Sequence, residues 1–313
     1  SNCTLESRKS KDGVVFPIKV IAKSNPYFQE FRLLQWLQNL AIYTKEDDKN
    51  VTQNFLDSLE KWEALLNWLK TKKEIKQDAL IRYLLEAQGF KSKALTAEMA
   101  KYRWNYVQNK DYPAFETRHL IQSRLDKVEG VPVGFLNAEM EMKLWHLIFS
   151  VTDKLEYEKA LKKFASKYKL DEVSFVEAFK KVPPFKSEYG SYSEKAIKNL
   201  LTLMRFGSDW SFENINKNAK NRIEKILTGE YDEKIKNRVR EFVEKYGINN
   251  ESDFQNLPLW LAQYIVYDRH SEAAIVGKWQ SVEELNQFVN DFKQHSLRNP
   301  IVEQVITETL RVV

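Results

Sequence analysis

The chain has 313 residues, 43% hydrophobic and 30% charged, with a single Cys and a formal net charge of +5. That length is enough for two hydrophobic cores, the lone Cys3 excludes a disulfide framework and any zinc site built from cysteines, and no apolar run reaches the length a bilayer requires. Nine Gly and eight Pro are few for such a chain and favour long helices with short loops over a many-stranded sheet.

The elements follow in order. Val14 to Ile21, after Asp12-Gly13, predicts a short strand or hairpin limb that Pro17 confines to an edge; it is the only clear β signal. Ser24 or Asn25 then caps a helix with Pro26 at its start and a buried face of Phe28, Phe31, Leu34, Leu37, Leu40 and Ile42. Phe55, Leu56, Leu59, Trp62, Leu65, Leu66 and Leu69 repeat with helical spacing, and a helix over Ala79 to Ala87 stops at Gly89. Residues 107 to 136, with Pro113, Gly130, Pro132 and Gly134, read as the longest irregular stretch and the best sub-domain border. Asn137 caps a helix reaching about Ser150. Pro183-Pro184 through Gly190 mark a second break, and Ser281 with Glu284 is a capping box for Val282 to Gln294. The class expected is all-α, a multi-helix architecture with one small β element near the N-terminus, divided at 1–130 and 137–313.

Charge is uneven. Residues 61 to 127 hold 14 Lys/Arg against 8 Asp/Glu, whereas residues 251 to 313 hold 5 against 9, so the earlier region is the expected polyanion face. Within it Lys91, Lys93, Lys101, Tyr102, Arg103, Trp104, Tyr106 and Lys110 interleave cations with aromatics around one acid, Glu98. Cations neutralise phosphates and flat rings stack on bases; the competing expectation is that Trp104 and the tyrosines are core. On the helix after Ser193, Ile197, Leu200, Leu201 and Met204 define a buried face, and Lys195, Lys198 and Arg205 project from another. Ser191, Tyr192 and Ser193 stand at its start, where free N–H groups favour a phosphate. Exchanging Lys195, Lys198 and Arg205 together for Gln is expected to leave stability almost unmoved. Lys234, Arg238 and Lys245 make a second basic stripe on a helix burying Ile235, Val239, Phe242 and Tyr246, where a solvated face is favoured.

Neither a GxxxxGK[ST] nor a GxGxxG loop occurs, and His119, His146, His270 and His295 form no HExxH pair. His270 between Asp268 and Glu272 reads as a helix-end ion-pair group, and His146, beside Met142, Trp145 and Phe149, as a hydrogen-bonded core or groove histidine.

Four motifs in order carry a resemblance. Leu37-Gln38-Asn39-Leu40-Ala41-Ile42 is followed by Met142-Lys143-Leu144-Trp145-His146-Leu147-Ile148, by Ser193-Glu194-Lys195-Ala196-Ile197 running to Leu203-Met204 and Gly207, and by the final Asn299-Pro300-Ile301-Val302 segment with Arg311-Val312-Val313. Together they resemble the recognition lobe of the type II CRISPR-associated RNA-guided DNA endonucleases. The stripe of Ile301, Val305 and Val312 has no C-cap behind it. Ser1-Asn2 looks like a cleavage remnant with no start Met after it, so an excised piece of a larger protein is expected.

The resemblance implies a non-catalytic segment holding guide RNA and the RNA–DNA heteroduplex for a parent endonuclease of bacterial antiviral defence. The parent would be cytoplasmic, with Mg²⁺ confined to nuclease domains of the same chain. No cofactor, metal or membrane partner is expected for this segment, and no catalytic residue carries over. The expected nucleic-acid contacts are Ser193, Lys195, Lys198, Arg205, Lys93, Lys101, Arg103, Trp104, Tyr106 and Lys143. Two readings stay open beside it: a helical RNA-binding module unrelated to CRISPR, and a helical scaffold that binds protein.

Overall fold

The computed structural model describes residues 3–9, 15–230 and 236–267. The chain divides into two compact units, Ser1–Asp268 and Arg269–Val313, and the described residues all belong to the first. The expected capping box at Ser281, His270 with its acidic neighbours, His295, Lys234, Ile235 and the final motif from Asn299 lie outside them.

The chain begins with β1 (Cys3–Lys9) and β2 (Val15–Ile21), which pair antiparallel with Ser7 opposite Pro17. Asn25 then ends the extended run. Its side chain accepts from Tyr27 N at 2.9 Å, and Pro26 opens α1 (Pro26–Gln38) where a missing N–H does no harm. Ile42 leaves the expected helix for β3 (Ile42–Thr44). The next periodic run splits into α2 (Thr52–Phe55) and α3 (Leu59–Leu69), the second started by Ser58. After β4 (Glu74–Ile75) come α4 (Gln77–Ala87), α5 (Ser92–Met99), β5 (Tyr102–Trp104) and β6 (Tyr112–Pro113).

Two antiparallel pairs unforeseen in the sequence, β3 with β5 and β4 with β6, thus tie together distant segments, Ile42 to Trp104 and Glu74 to Pro113. Strands of two or three residues are too short to show a period of two. The stretch expected to be irregular contains α6 (Glu116–Leu125), whose buried positions are Thr117, Ile121 and Leu125. One residue per turn, the first of them polar, leaves almost no amphipathic signal.

Four helices follow: α7 (Ala138–Ser150), capped by Asn137, α8 (Lys154–Tyr168), α9 (Glu172–Phe179) and α10 (Glu194–Met204). The described part closes with α11 (Lys217–Leu227), α12 (Lys236–Tyr246) and α13 (Leu259–Tyr267). The architecture is mostly α-helical with small β elements.

Ile121, Leu125, Leu144, Trp145, Leu161, Phe175 and Phe179 share one core across α6 to α9, with the Phe164, Phe175 and Phe179 rings stacked in succession at 5.5 and 4.6 Å. Beside it α10 packs against both α1 and α13. Its start is fixed by the preceding segment, which runs along β2: Ile21 N donates to Tyr192 O and Gly190 N to Ile21 O, each at 2.8 Å. Its end is fixed by Gly207. There φ is +61°, and a Cβ would sit 2.5 Å from the Glu63 carboxylate, which accepts from Ser208 N at 2.8 Å. That left-handed backbone favours glycine.

Among the described residues, Glu141 on α7 is a buried acid. Glu141 Oε2 accepts from Arg118 Nη1 at 2.6 Å, while its Oε1 is buried without a partner. Burial raises the Glu141 carboxyl above its ordinary value near 4.5, and Arg118 only partly offsets it. A carboxyl whose folded pKa is raised contributes stability in acid that is lost as pH rises from about 4.5 through the folded value. Glu141→Gln, which imitates the neutral acid, is therefore expected to gain stability relative to the native chain across that window and to level off above it. Urea unfolding at a series of pH values tests this, and a constant difference between the two chains would exclude it.

Candidate nucleic-acid interface

On α10 the expected contacts are mostly engaged already. Ser193 Oγ accepts from Ala196 N at 3.1 Å and so caps its own helix. Asn25 Nδ2 donates to Glu194 Oε2 at 3.2 Å, which places an acid on the first turn. Lys198 pairs with Glu194 at 2.7 Å and lies 4.7 Å from the Tyr27 ring centroid; burial opposes its charge, but Glu194 leaves its pKa raised. Arg205 is fully committed, with Nε and Nη2 each 2.7 Å from a different oxygen of Glu30. Of the three expected cations, Lys195 alone is exposed with no hydrogen bond or ion pair to a described residue.

The basic-aromatic stretch sorts by direction. Trp104 has no exposed surface; its Nε1 donates to Val107 O at 3.3 Å, and it meets Trp36 and Tyr112 edge to face at 5.8 and 5.5 Å. Tyr106 stacks on Trp36 at 4.9 Å and donates to Trp36 O at 2.6 Å, with burial pushing its hydroxyl up to about 12. Trp104, with no exposed surface, has no face to offer a base, and for it the stacking expectation is corrected; Tyr106 is half-buried, with one face on Trp36.

The cations point outward. Lys101 pairs with Glu98 at 2.7 Å. Arg103 pairs with Asp48 at 2.8 Å, over the Tyr43 ring. Lys91, at the N-cap of α5, and Lys93, on its first turn, are exposed and pair with no described acid. Lys143 binds Glu139 and lies 5.3 Å from the Tyr168 ring.

Elsewhere the expectations divide. His146 is exposed, its Nε2 3.5 Å from Ser150 Oγ, and is no core histidine. Arg238 lies 4.2 Å from the Trp260 centroid. Tyr246 is 59% exposed where burial was expected, whereas Val239 is buried. A helix with charge on most faces has room for one buried row only.

The structure assembles a site mostly from residues the sequence did not single out, with Lys110 the exception. Trp68 on α3 and Tyr83 on α4, both half-buried, stack at 4.6 Å with an interplanar angle of 22°. They open on a cavity of about 580 Å³ that also takes in Lys72, Lys76, Gln77, Arg82, Asn109 and Lys110. Lys72 Nζ sits 4.9 Å from the Trp68 centroid and Lys110 Nζ 5.2 Å from that of Tyr112; neither pairs with a described acid. Lys76 answers Glu74 at 3.0 Å and Asp111 at 3.4 Å.

Through Arg82 and Glu86 the cavity adjoins a second one, of about 730 Å³, bordered by Lys91 and Lys93. Lys73, next along the chain from Lys72, lines a third of about 490 Å³ with Arg32, His119 and Lys186. The signal available in the sequence was the run Lys70, Lys72, Lys73, Lys76 just past Trp68, a residue set off the Leu65, Leu66, Leu69 stripe. Flexible ammonium groups beside exposed rings suit a polyanion with flat substituents. Among the described residues no cluster of His, Cys, Asp or Glu could hold a metal ion, and no helix is long and apolar enough to cross a membrane.

No family model matches the chain, and no curated protein does. Solved structures of Streptococcus thermophilus Cas9 are similar to part of it. The one in complex with the GGAA PAM is 18% identical over 74% of this chain and 22% of its own, with a TM-score of 0.39. The AGGA PAM complex is 20% identical over 73% and 21%, with a TM-score of 0.38. The chain therefore spans about a fifth of the length of those proteins.

Proposed function

We propose that this chain is a non-catalytic segment that holds guide RNA and an RNA–DNA heteroduplex by their backbones. Its parent would be an RNA-guided DNA endonuclease of bacterial antiviral defence, working in the cytoplasm. The observation that carries the binding is the set of lysines without acidic partners, Lys72, Lys91, Lys93 and Lys110, bordering adjoining grooves over α3, α4 and α5. The motifs around Leu37, Lys143 and Ser193 supply the identity of the nucleic acid. Cleavage would belong to Mg²⁺-dependent nuclease domains of the same parent chain. Ammonium groups on phosphates read charge spacing and no base identity, so affinity should be similar for guides of different sequence and greater for A-form than for B-form duplexes.

The test is fluorescence anisotropy with an RNA–DNA hybrid across a salt series. Changing Lys91, Lys93 and Lys110 to Gln should flatten the slope of log K against log salt by roughly 0.7 to 0.9 for each phosphate that is no longer neutralised. Equal slopes in the native chain and the triple variant, both folded, would remove this surface from the interface and leave Lys195 on α10 as the exposed alternative. Absence of salt-dependent affinity for the hybrid would favour the protein-binding scaffold.

A further inference from the structure

We propose that the cavity between α3 and α4 takes one unpaired nucleotide, its base against the Trp68–Tyr83 pair and its phosphate between Lys72 and Lys110. The inference rests on the nucleic-acid reading above and adds to it a second mode of binding: a seat for a base that has left the stack.

The lysines without acidic partners serve any polyanion. The stacked rings are a different matter. Trp104 shows what this fold does with an aromatic it needs for stability: it is fully buried, edge to face against Trp36 and Tyr112. Trp68 and Tyr83 are only partly buried, nearly parallel, and line a cavity whose volume is ordinary for a small-ligand site. Bases within a duplex have both faces covered by their neighbours, so only an extruded or single-stranded base can use such a platform.

The remaining lining fits the edge of a base. Gln77 Oε1 accepts from Trp104 N at 3.2 Å, which fixes the amide and leaves its NH₂ without a described acceptor. Asn109 lines the same cavity with φ at +59°, held by the turn before β6. The local acids are largely answered: Asp111 by Lys76 at 3.4 Å and Glu86 by Arg82 at 4.0 Å. Asp78 remains, on the first turn of α4, where the helix N-terminus favours it.

The experiment uses the full chain and two RNA duplexes alike except for a single bulged 2-aminopurine in one of them. The native chain should bind the bulged duplex more tightly and quench its 2-aminopurine on binding. Trp68→Leu and Tyr83→Ala should each weaken the bulged duplex about tenfold, the size expected when one base-stacking ring is removed, and leave the paired duplex unchanged. If Trp68→Leu does not fold, Tyr83→Ala carries the test. Equal affinity for the two duplexes, or folded variants that bind the bulged one like the native chain, would overturn the seat while the backbone reading stands. Absence of salt-dependent binding to either duplex would overturn both.

Discussion

Trp104→Ala is expected to destabilise the described fold by about 3–5 kcal/mol, while the folded fraction keeps its salt-dependent affinity for an RNA–DNA hybrid. The indole has no exposed surface, and truncation opens a cavity between β5, α1 and the Tyr106–Tyr112 turn. It also removes the Nε1 donor from Val107 O and strips the edge-to-face partner from Trp36. Thermal melting should show a fall on the order of 10 °C, since each kcal/mol is worth a few degrees in a chain of this size. A melt unchanged within a degree, joined to abolished hybrid binding, would mean the ring is presented to ligand after all.

Arg205→Gln should destabilise by about 2–4 kcal/mol. The guanidinium is bidentate on Glu30, whose side chain is 16% exposed, and truncation leaves that carboxylate desolvated and unpaired. Burial acts against the Arg205 charge, yet Glu30 holds its pKa above the ordinary value, so the guanidinium stays charged at any pH that leaves the fold intact. A double-mutant cycle isolates the coupling: Glu30→Gln added to Arg205→Gln should recover much of the deficit. The Arg205–Glu30 pair runs against the expectation that exchanging Lys195, Lys198 and Arg205 together leaves stability unmoved. Lys195→Gln alone should change stability by no more than about half a kcal/mol, as is usual for an exposed side chain. Additive single effects at Glu30 and Arg205 would show that the pair is not coupled and return Arg205 to the phosphate-binding candidates.

Hydrogen bonds that close within one turn were readable from the chain alone. Asn25 with Pro26, Asn137 and Ser193 mark their helix starts because each cap is satisfied two or three residues downstream. The face of Ile197, Leu200, Leu201 and Met204 follows from a period that the helix itself imposes. From these the sequence by itself determined a mostly helical protein, the starts of α1, α7 and α10, and the basic region between residues 61 and 127.

What each charged or aromatic side chain is free to do was decided by tertiary structure. Arg205 meets Glu30 across 175 residues, Arg103 meets Asp48 across 55, and no local pattern specifies either pairing. Trp104 and Trp68 look alike in sequence, each set among lysines, yet one is a strand residue closed against Trp36 and Tyr112 and the other lines a cavity. The difference is register. β5 pairs with β3, which turns Trp104 toward Trp36, whereas α3 buries Leu65, Leu66 and Leu69 and leaves Trp68 at the margin of its buried face, where Tyr83 of α4 meets it. Composition placed the positive charge, and the packing of distant segments selected which cations and which rings remain open to a ligand.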